Sequence, residues 1–96
     1  MNISQIKKTI KQHQNILENA HHVKRLGIFG STARGESSED SDIDIIVELS
    51  QPTSFFNFLE LENFLSKILG KKIDLVTKKA LKPAIKQEIL KETLYV

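Results

Sequence analysis

The sequence contains no cysteine and no tryptophan, and among its 96 residues it has only two prolines, four glycines and one tyrosine. The absence of cysteine excludes disulfide bridges and thiolate metal sites, which is typical of a cytosolic protein. No apolar run approaches the roughly 20 residues that span a bilayer, and the opening residues MNISQ contain no signal-peptide core. We therefore expect a cytoplasmic chain with no membrane partner.

The chain also lacks a strong charge of one sign. It has 14 basic and 12 acidic residues, for a net charge of +2. That value is too small to argue for nucleic-acid binding, and none is expected. The apolar content of 40% and the charged content of 27% are ordinary for a globular chain. Its length allows one modest core, so we expect a single domain over residues 1–96.

The segment from Gly30 to Asp44 carries most of the chemical information. Before it, the apolar run LGIF at residues 26–29 predicts a buried strand that ends at a turn. After Asp42 the sequence alternates, and a strand with a period of two places Asp42 and Asp44 on the same face. Two neighbouring carboxylates repel each other unless a cation lies between them. Magnesium suits this pair, because it binds one or two carboxylates together with phosphate oxygens of a substrate.

Gly30 and Ser31 supply a second feature of this segment. A glycine at a strand end lets the backbone approach a ligand closely. The residues from Ser31 can begin a short helix, whose free N–H groups form an anion site. Arg34 could add a positive charge there, or it could be a surface residue. A phosphate site next to a pair of aspartates predicts a nucleotidyl-transfer centre.

The rest of the chain predicts alternating helices and strands. The apolar spacing indicates an N-terminal helix through Leu17, a second long helix that ends at Gly70, and a last helix that begins near Pro83. Strands are predicted at Val23–Phe29, from Asp42, at Ile73–Thr77 and, shortly, at Leu94–Val96. We expect an α/β (α+β) fold: a small mixed sheet of three to four strands with about four helices. The helices should lie mainly on one face, and the aspartates on the other.

Asp74 stands alone inside the apolar strand Ile73–Thr77. An ionised carboxylate there is costly unless it is paired or binds a metal. One interpretation is a salt bridge to a nearby lysine, and the other is a third carboxylate of the metal site. Two further groups also have alternative interpretations. Lys78, Lys79 and Lys82 are a solvated charge run or a phosphate or partner contact; Phe55 and Phe56 are core or lid residues or part of a partner surface.

A family resemblance follows from the spacing of these residues. Ser31 is followed by ten residues, Thr32 to Ser41, and then by the Asp-x-Asp pair. This resembles the signature of the polymerase-β-type nucleotidyltransferase superfamily. The short chain resembles its smallest branch, the minimal nucleotidyltransferases (MNT), over nearly its whole length. Thr32 departs from the pattern, because a bulkier or basic residue often stands there; only secondary phosphate contacts are affected.

The resemblance implies an activity. Members of the MNT branch are typically antitoxins encoded beside a HEPN-domain ribonuclease toxin, and some transfer AMP from ATP to a tyrosine of that toxin. It implies a HEPN partner in a hetero-oligomeric complex, ATP as substrate, and Mg²⁺, with two ions about 4 Å apart in such centres. The implied catalytic and metal residues are Asp42, Asp44 and Asp74, and the implied nucleotide-binding residues are Gly30, Ser31 and Arg34.

Two other functions are compatible with the same sequence. A binding module of this fold could block the toxin by contact, but it would not need three mutually repelling carboxylates. A transferase for a small molecule, such as an antibiotic, would normally need a second domain to form the acceptor pocket. The acidic residues therefore favour the enzyme.

Overall fold

A computed structural model describes all 96 residues, which form one four-stranded mixed sheet with helices on both faces. The elements in chain order are α1 (Ile3–Gln12), α2 (Gln14–Asn19), β1 (Val23–Phe29), α3 (Gly30–Ala33), β2 (Ile43–Leu49), α4 (Phe55–Leu69), β3 (Ile73–Thr77), a short 3-10 helix (Lys78–Ala80), α5 (Pro83–Glu92) and β4 (Leu94–Tyr95). The strand order across the sheet is β3-β2-β1-β4. The predicted fold class is confirmed.

The register of the sheet brings the ends of three strands together. β1 and β2 are antiparallel, and Phe29 at the end of β1 lies opposite Asp44 near the start of β2. β2 and β3 are parallel, and Asp44 lies beside Asp74. Neighbouring strands are about 4.8 Å apart, so the Gly30 turn, Asp44 and Asp74 are successive neighbours along one edge of the sheet.

The main core lies between the sheet and helices α1, α2 and α4. Alternate residues of each strand point into it, as the period of two requires. Its buried members include Ile6, Ile10 and Leu17 from the N-terminal helices, Ile28, Ile43, Ile45 and Leu75 from the sheet, and Leu61, Leu65 and Leu69 from α4. Burial of this apolar surface is the main source of stability for the sheet that carries the aspartates.

Helices α1, α2 and α4 lie on one face of the sheet, as predicted, but the opposite face is not fully open. Helix α5 packs there against β1, which pairs with β4 at the edge of the sheet. A methyl group at Gly27 would lie 3.1 Å from both the Ile46 side chain and the Tyr95 ring, and against the Thr93 methyl. Ile46 follows Asp44 by two residues and so lies on the same face of β2, where it is only 1% exposed.

The N-terminal helix also differs from its prediction. Asn2 and Gln5 form the expected capping box at the start of α1. The single predicted helix is interrupted at His13, between α1 and α2. The Nδ1 atom of His13 lies 2.8 Å from the carbonyl oxygen of Thr9, the group that its backbone N–H would bond in a continuous α-helix. This side-chain bond explains the interruption.

Helix α4 ends at Gly70, as predicted, and this glycine has a left-handed φ of +66°. The Ser54 hydroxyl accepts the N–H of Asn57 and caps the start of the helix at Phe55. Phe55 and Phe56 are 76% and 70% exposed on the first turn, so they are not core residues. A lid and a partner surface, the other two interpretations, stay predictions. None of the helices combines the length and apolar character that crossing a bilayer requires.

Candidate active site

The turn at Gly30 is packed directly against Asp44. Gly30 has φ +71°, a conformation that side chains other than glycine rarely adopt. A Cβ atom built there would lie 3.0 Å from the Asp44 carboxyl carbon and would collide with the Oδ2 oxygen. The turn therefore requires glycine for its conformation and for its contact with the aspartate. The two halves of the predicted site are adjacent.

The three aspartates are concentrated at the same edge. Asp42 and Asp44 are half-buried, and Asp74 is exposed. The pKa of Asp44 is raised, first because burial disfavours its charge and then because the Asp74 and Asp42 carboxylates lie close to it. The Arg34 guanidinium acts in the opposite direction and lowers the pKa of Asp44. Like charges are thus held together on the folded sheet.

Asp74 has no lysine partner. The ion pairs of the structure join Arg25 to Glu48 and Arg34 to Glu36 and Glu92, and none includes Asp74. The salt-bridge interpretation of this residue is therefore not supported. Asp74 is a free carboxylate directly beside Asp44 in the register of β2 and β3.

The carboxylates at this site suit magnesium better than a metal whose ligands all come from protein side chains. No group of three or more histidine, aspartate or glutamate side chains is arranged as a preformed metal site. Magnesium does not need one, because it takes one or two carboxylates and completes its shell with water and substrate phosphates. Asp42 and Asp44 fit that requirement, and a cation would offset both the burial and the neighbouring carboxylates that raise the pKa of Asp44. The roles of the three aspartates remain a prediction.

Ser31 lies on α3, which begins at Gly30, and Arg34 is the C-cap residue of that helix. Ser31 is half-buried, and its hydroxyl makes no hydrogen bond to another protein group. Arg34 donates from Nε to Glu36 at 3.1 Å and from Nη1 to Glu92 at 3.1 Å. Its Nη2 group makes no hydrogen bond within the protein. The hydroxyl and this part of the guanidinium are therefore free donors near Asp44.

Glu92 is the residue that the sequence analysis missed. It is the last residue of α5, and its Oε1 atom accepts the backbone N–H of Gly30 at 3.0 Å. The same carboxylate accepts from Arg34. One signal was available: an acidic residue in the last turn of a helix opposes the helix dipole, so Glu92 required a compensating contact elsewhere.

The basic residues beyond β3 lie away from the aspartates. Lys78 and Lys79, with Lys86 of α5, line a cavity of about 560 Å³ at the far ends of β2 and β3. Lys82 is exposed and does not line it. Phosphate or partner contact by these lysines stays a prediction.

Thr32, the residue that departs from the family pattern, is buried: it is only 7% exposed.

Sequence comparison places the chain in a family. The family model described as the nucleotidyltransferase domain matches residues 3–96, so the chain belongs to the nucleotidyltransferase domain family. A candidate protein adenylyltransferase of Methanocaldococcus jannaschii is 45% identical over 97 residues, covering 98% of this chain and 97% of that protein. The protein adenylyltransferase MntA of Thermococcus cleftensis is 38% identical, covering 100% of this chain and 97% of its own length.

Solved structures share the fold. A candidate minimal nucleotidyltransferase superposes with a TM-score of 0.82 and 29% identity, covering 98% of this chain and 95% of its own. A chain from a toxin–antitoxin structure with AMP-PNP has a TM-score of 0.71 and 23% identity over 99% of this chain and 72% of its own. A chain from a complex of tri-AMPylated Shewanella oneidensis HEPN toxin with MNT antitoxin has a TM-score of 0.66 and 18% identity, covering 94% and 70%. The resemblance to the minimal nucleotidyltransferases is confirmed.

Proposed function

We propose that this protein is an antitoxin that transfers AMP from ATP to a cognate HEPN ribonuclease toxin, with a tyrosine as acceptor, and so neutralises it. The observation that carries the proposal is the convergence of the Gly30 turn, Asp44 and Asp74 at one edge of the sheet. The names of the relatives support adenylyl transfer, and the toxin–antitoxin complexes of the same fold support the partner.

Nucleotidyl transfer depends on positioning and on stabilising charge at the phosphorus. The Ser31 hydroxyl and the N–H groups that follow it would bind the triphosphate from the side of β1. Nη2 of Arg34 would add a charged donor to the same phosphates. The nucleotide is then held beside Asp44, because the Gly30 turn contacts that residue. Every donor in this arrangement comes from one turn and one short helix.

The acceptor hydroxyl would approach from the opposite side. β3 is the edge strand of the sheet, and Asp74 is exposed on it. Its carboxylate can orient a tyrosine hydroxyl and accept its proton as the oxygen attacks the α-phosphorus. Asp42 and Asp44 would hold Mg²⁺, which when bound neutralises phosphate charge and supports the leaving pyrophosphate.

A non-catalytic alternative deserves a test, because Phe55 and Phe56 form an exposed aromatic surface on α4. A protein that acted by contact alone would use such a surface and would not need the aspartates.

The test is to incubate the protein with ATP, Mg²⁺ and the HEPN protein encoded beside it, and to measure toxin mass and ribonuclease activity. We expect the mass to rise by whole AMP units, tyrosine to carry the group, and ribonuclease activity to fall in step. Loss of ribonuclease activity with an unchanged toxin mass would favour inhibition by contact.

A further inference from the structure

Glu92 joins the end of the chain to the predicted phosphate site. Its carboxylate accepts the Gly30 N–H at Oε1 and an Arg34 N–H at Oε2, at 3.0 and 3.1 Å. A second Arg34 contact, to Oε1, measures 3.4 Å. One side chain thus contacts both the turn and the arginine that flank Ser31, although these residues lie about 60 positions earlier in the chain.

This contact is more constrained than an ordinary surface ion pair. The Glu92 side chain is only 28% exposed. Its backbone position is fixed, because the Thr93 hydroxyl bonds the Ile89 carbonyl at 2.7 Å and the Val96 N–H bonds the Leu26 carbonyl at 2.9 Å. A free glutamate on a flexible tail would have to lose much more conformational freedom to make the same bonds.

The helix that receives Glu92 has few other supports. α3 contains four residues, far fewer than an isolated helix needs to be stable. The carboxylate binds the N–H at the very start of this helix, where a negative charge is favourable. It also fixes one edge of the Arg34 guanidinium while Glu36 fixes another. The planar guanidinium is thereby oriented before any ligand arrives.

We propose that Glu92 is a positioning residue for the donor nucleotide. It holds the Gly30 turn and the Arg34 guanidinium in the arrangement that receives the triphosphate, and it leaves the Ser31 hydroxyl and Arg34 Nη2 free for the phosphates. This inference rests on the proposed nucleotide site. An opposite role is conceivable: Glu92 would imitate a phosphate and would have to leave before ATP binds. The two roles predict changes of opposite sign.

The experiment measures the affinity of Mg²⁺·AMP-PNP by calorimetry for the wild type, Glu92→Gln and Glu92→Ala. Gln retains an oxygen for the Gly30 N–H but loses the charge that orients Arg34, so we expect a loss of about tenfold, and up to about a hundredfold for Ala, the range for bonds to charged groups. Glu88→Gln is the matched control, because Glu88 is exposed on the same helix and forms no ion pair; its affinity should equal that of the wild type.

Two further measurements separate positioning from general stabilisation. If Glu92 acts through Arg34, then Arg34→Gln and Glu92→Gln will not be additive, and the double variant will bind about as weakly as Arg34→Gln alone. Melting curves on the same preparations show whether each variant is folded at the temperature of the titration. A variant that melts earlier but binds with normal affinity overturns the proposal.

The outcomes are distinct from failure of the nucleotide site itself. A wild type that does not bind Mg²⁺·AMP-PNP contradicts the proposed function. A wild type that binds, together with unchanged or tighter binding by folded Glu92→Gln, contradicts the positioning role. If neither Glu92 variant folds, a crystal structure of the wild-type complex decides: the bond from Gly30 to Glu92 must persist beside the bound nucleotide, and a displaced carboxylate overturns the proposal.

Discussion

Asp44 combines three unfavourable circumstances for a carboxylate. It is half-buried, it lies beside Asp74 in the neighbouring strand, and Asp42 is two residues away. Each of these raises its pKa, with burial the largest cause. A residue placed this way costs folding free energy whenever it is ionised, so its position is better explained by a ligand than by stability.

The first prediction concerns the stability of Asp44→Asn. The native state binds the Asp44 proton more tightly than the unfolded chain, so the ionised group destabilises the fold above its raised pKa, and this cost disappears as pH falls below the ordinary value of 3.8. Without Mg²⁺, we expect the variant to melt a few degrees higher than the wild type at pH 7, with the difference shrinking as pH falls and vanishing below pH 3.8. Thermal melts of both proteins across this range provide the test.

Asp40→Asn is the control for this measurement, because Asp40 is exposed in the loop before β2 and contacts no other charged group. It should melt like the wild type at every pH. An Asp44→Asn protein that melts lower than the wild type at pH 7 would show that the carboxylate stabilises the fold, and would contradict the pKa argument.

The second prediction concerns Asp74→Asn. Asparagine is nearly isosteric with aspartate, but it carries no charge and cannot accept the proton of the acceptor hydroxyl. Because Asp74 is exposed and forms no ion pair, its replacement should leave the melting temperature equal or higher. AMP transfer to the toxin should fall by about 10²–10⁴-fold, the usual contribution of general acid–base catalysis. A variant that melts earlier and transfers AMP normally would show that Asp74 is structural.

At the scale of elements, the junction from β1 to α3 determines the site. The strand delivers the chain to Gly30, and the left-handed φ turns it so that α3 begins against Asp44. Because Gly30 has no side chain, the backbone at this turn lies directly against the Asp44 carboxylate. The geometry depends on the backbone more than on any single hydroxyl.

The third prediction follows from that dependence. Gly30→Val places a branched side chain at positive φ and against the Asp44 carboxylate, whereas Ser31→Ala removes one hydroxyl. We expect Gly30→Val to abolish measurable ATP binding and Ser31→Ala to weaken it by about tenfold, the loss of one hydrogen bond to phosphate. Calorimetry at a temperature where both variants are folded compares them. Small and equal losses would show that the turn does not bind phosphate.

Local sequence patterns were sufficient to predict most elements. The period of two after Asp42 gave the correct face for both aspartates, and Asn2, Gly70 and Pro83 marked helix ends that the structure contains. These signals work because they depend on residues that are neighbours along the chain. The fold class followed from the order of the elements for the same reason.

What the sequence did not predict depends on contacts between distant residues. The Ile46 side chain is buried where the Thr93 and Tyr95 side chains, about 50 positions later, meet it over Gly27. The bond from Gly30 to Glu92 crosses a similar distance. The exposure of Phe55 and Phe56 follows from where α4 begins relative to the sheet. Neither a hydrophobic period nor a short motif predicts contacts between such distant residues. The contact of the Glu92 carboxylate with Arg34 could therefore be found only in the structure.

At the scale of the whole molecule, the sheet lies between the apolar core, which stabilises the fold, and the predicted catalytic groups. Helices α1, α2 and α4 build the apolar core on one face. On the other face, α5 and the side chains of Thr93 and Tyr95 lie over β1, and Asp74 is exposed beside Asp44. The donor site and the exposed edge strand β3 therefore lie side by side, and a nucleotide and an acceptor protein can approach from different directions.

The last prediction tests whether this molecule neutralises its partner by catalysis. In Asp42→Asn/Asp44→Asn, both proposed magnesium ligands lose their charge while the shape of the strand is kept. We expect magnesium-dependent ATP binding and AMP transfer to be abolished, and the melting temperature to be equal or higher because carboxylate repulsion is relieved. The aromatic surface at Phe55 and Phe56 is unchanged, so the variant should still form a complex with the HEPN protein.

The decisive measurement is ribonuclease activity in that complex. If AMP transfer neutralises the toxin, the double variant will bind it and leave the ribonuclease active, whereas Asp40→Asn will behave like the wild type. Size-exclusion chromatography confirms the complex, and toxin mass reports transfer in the same samples. A double variant that inhibits the ribonuclease without changing the toxin mass would establish inhibition by contact. The inhibition would then depend on the surface of the protein and not on Asp42 and Asp44. Unchanged ATP affinity in the same variant would contradict the magnesium assignment independently, since binding would then not depend on Asp42 and Asp44.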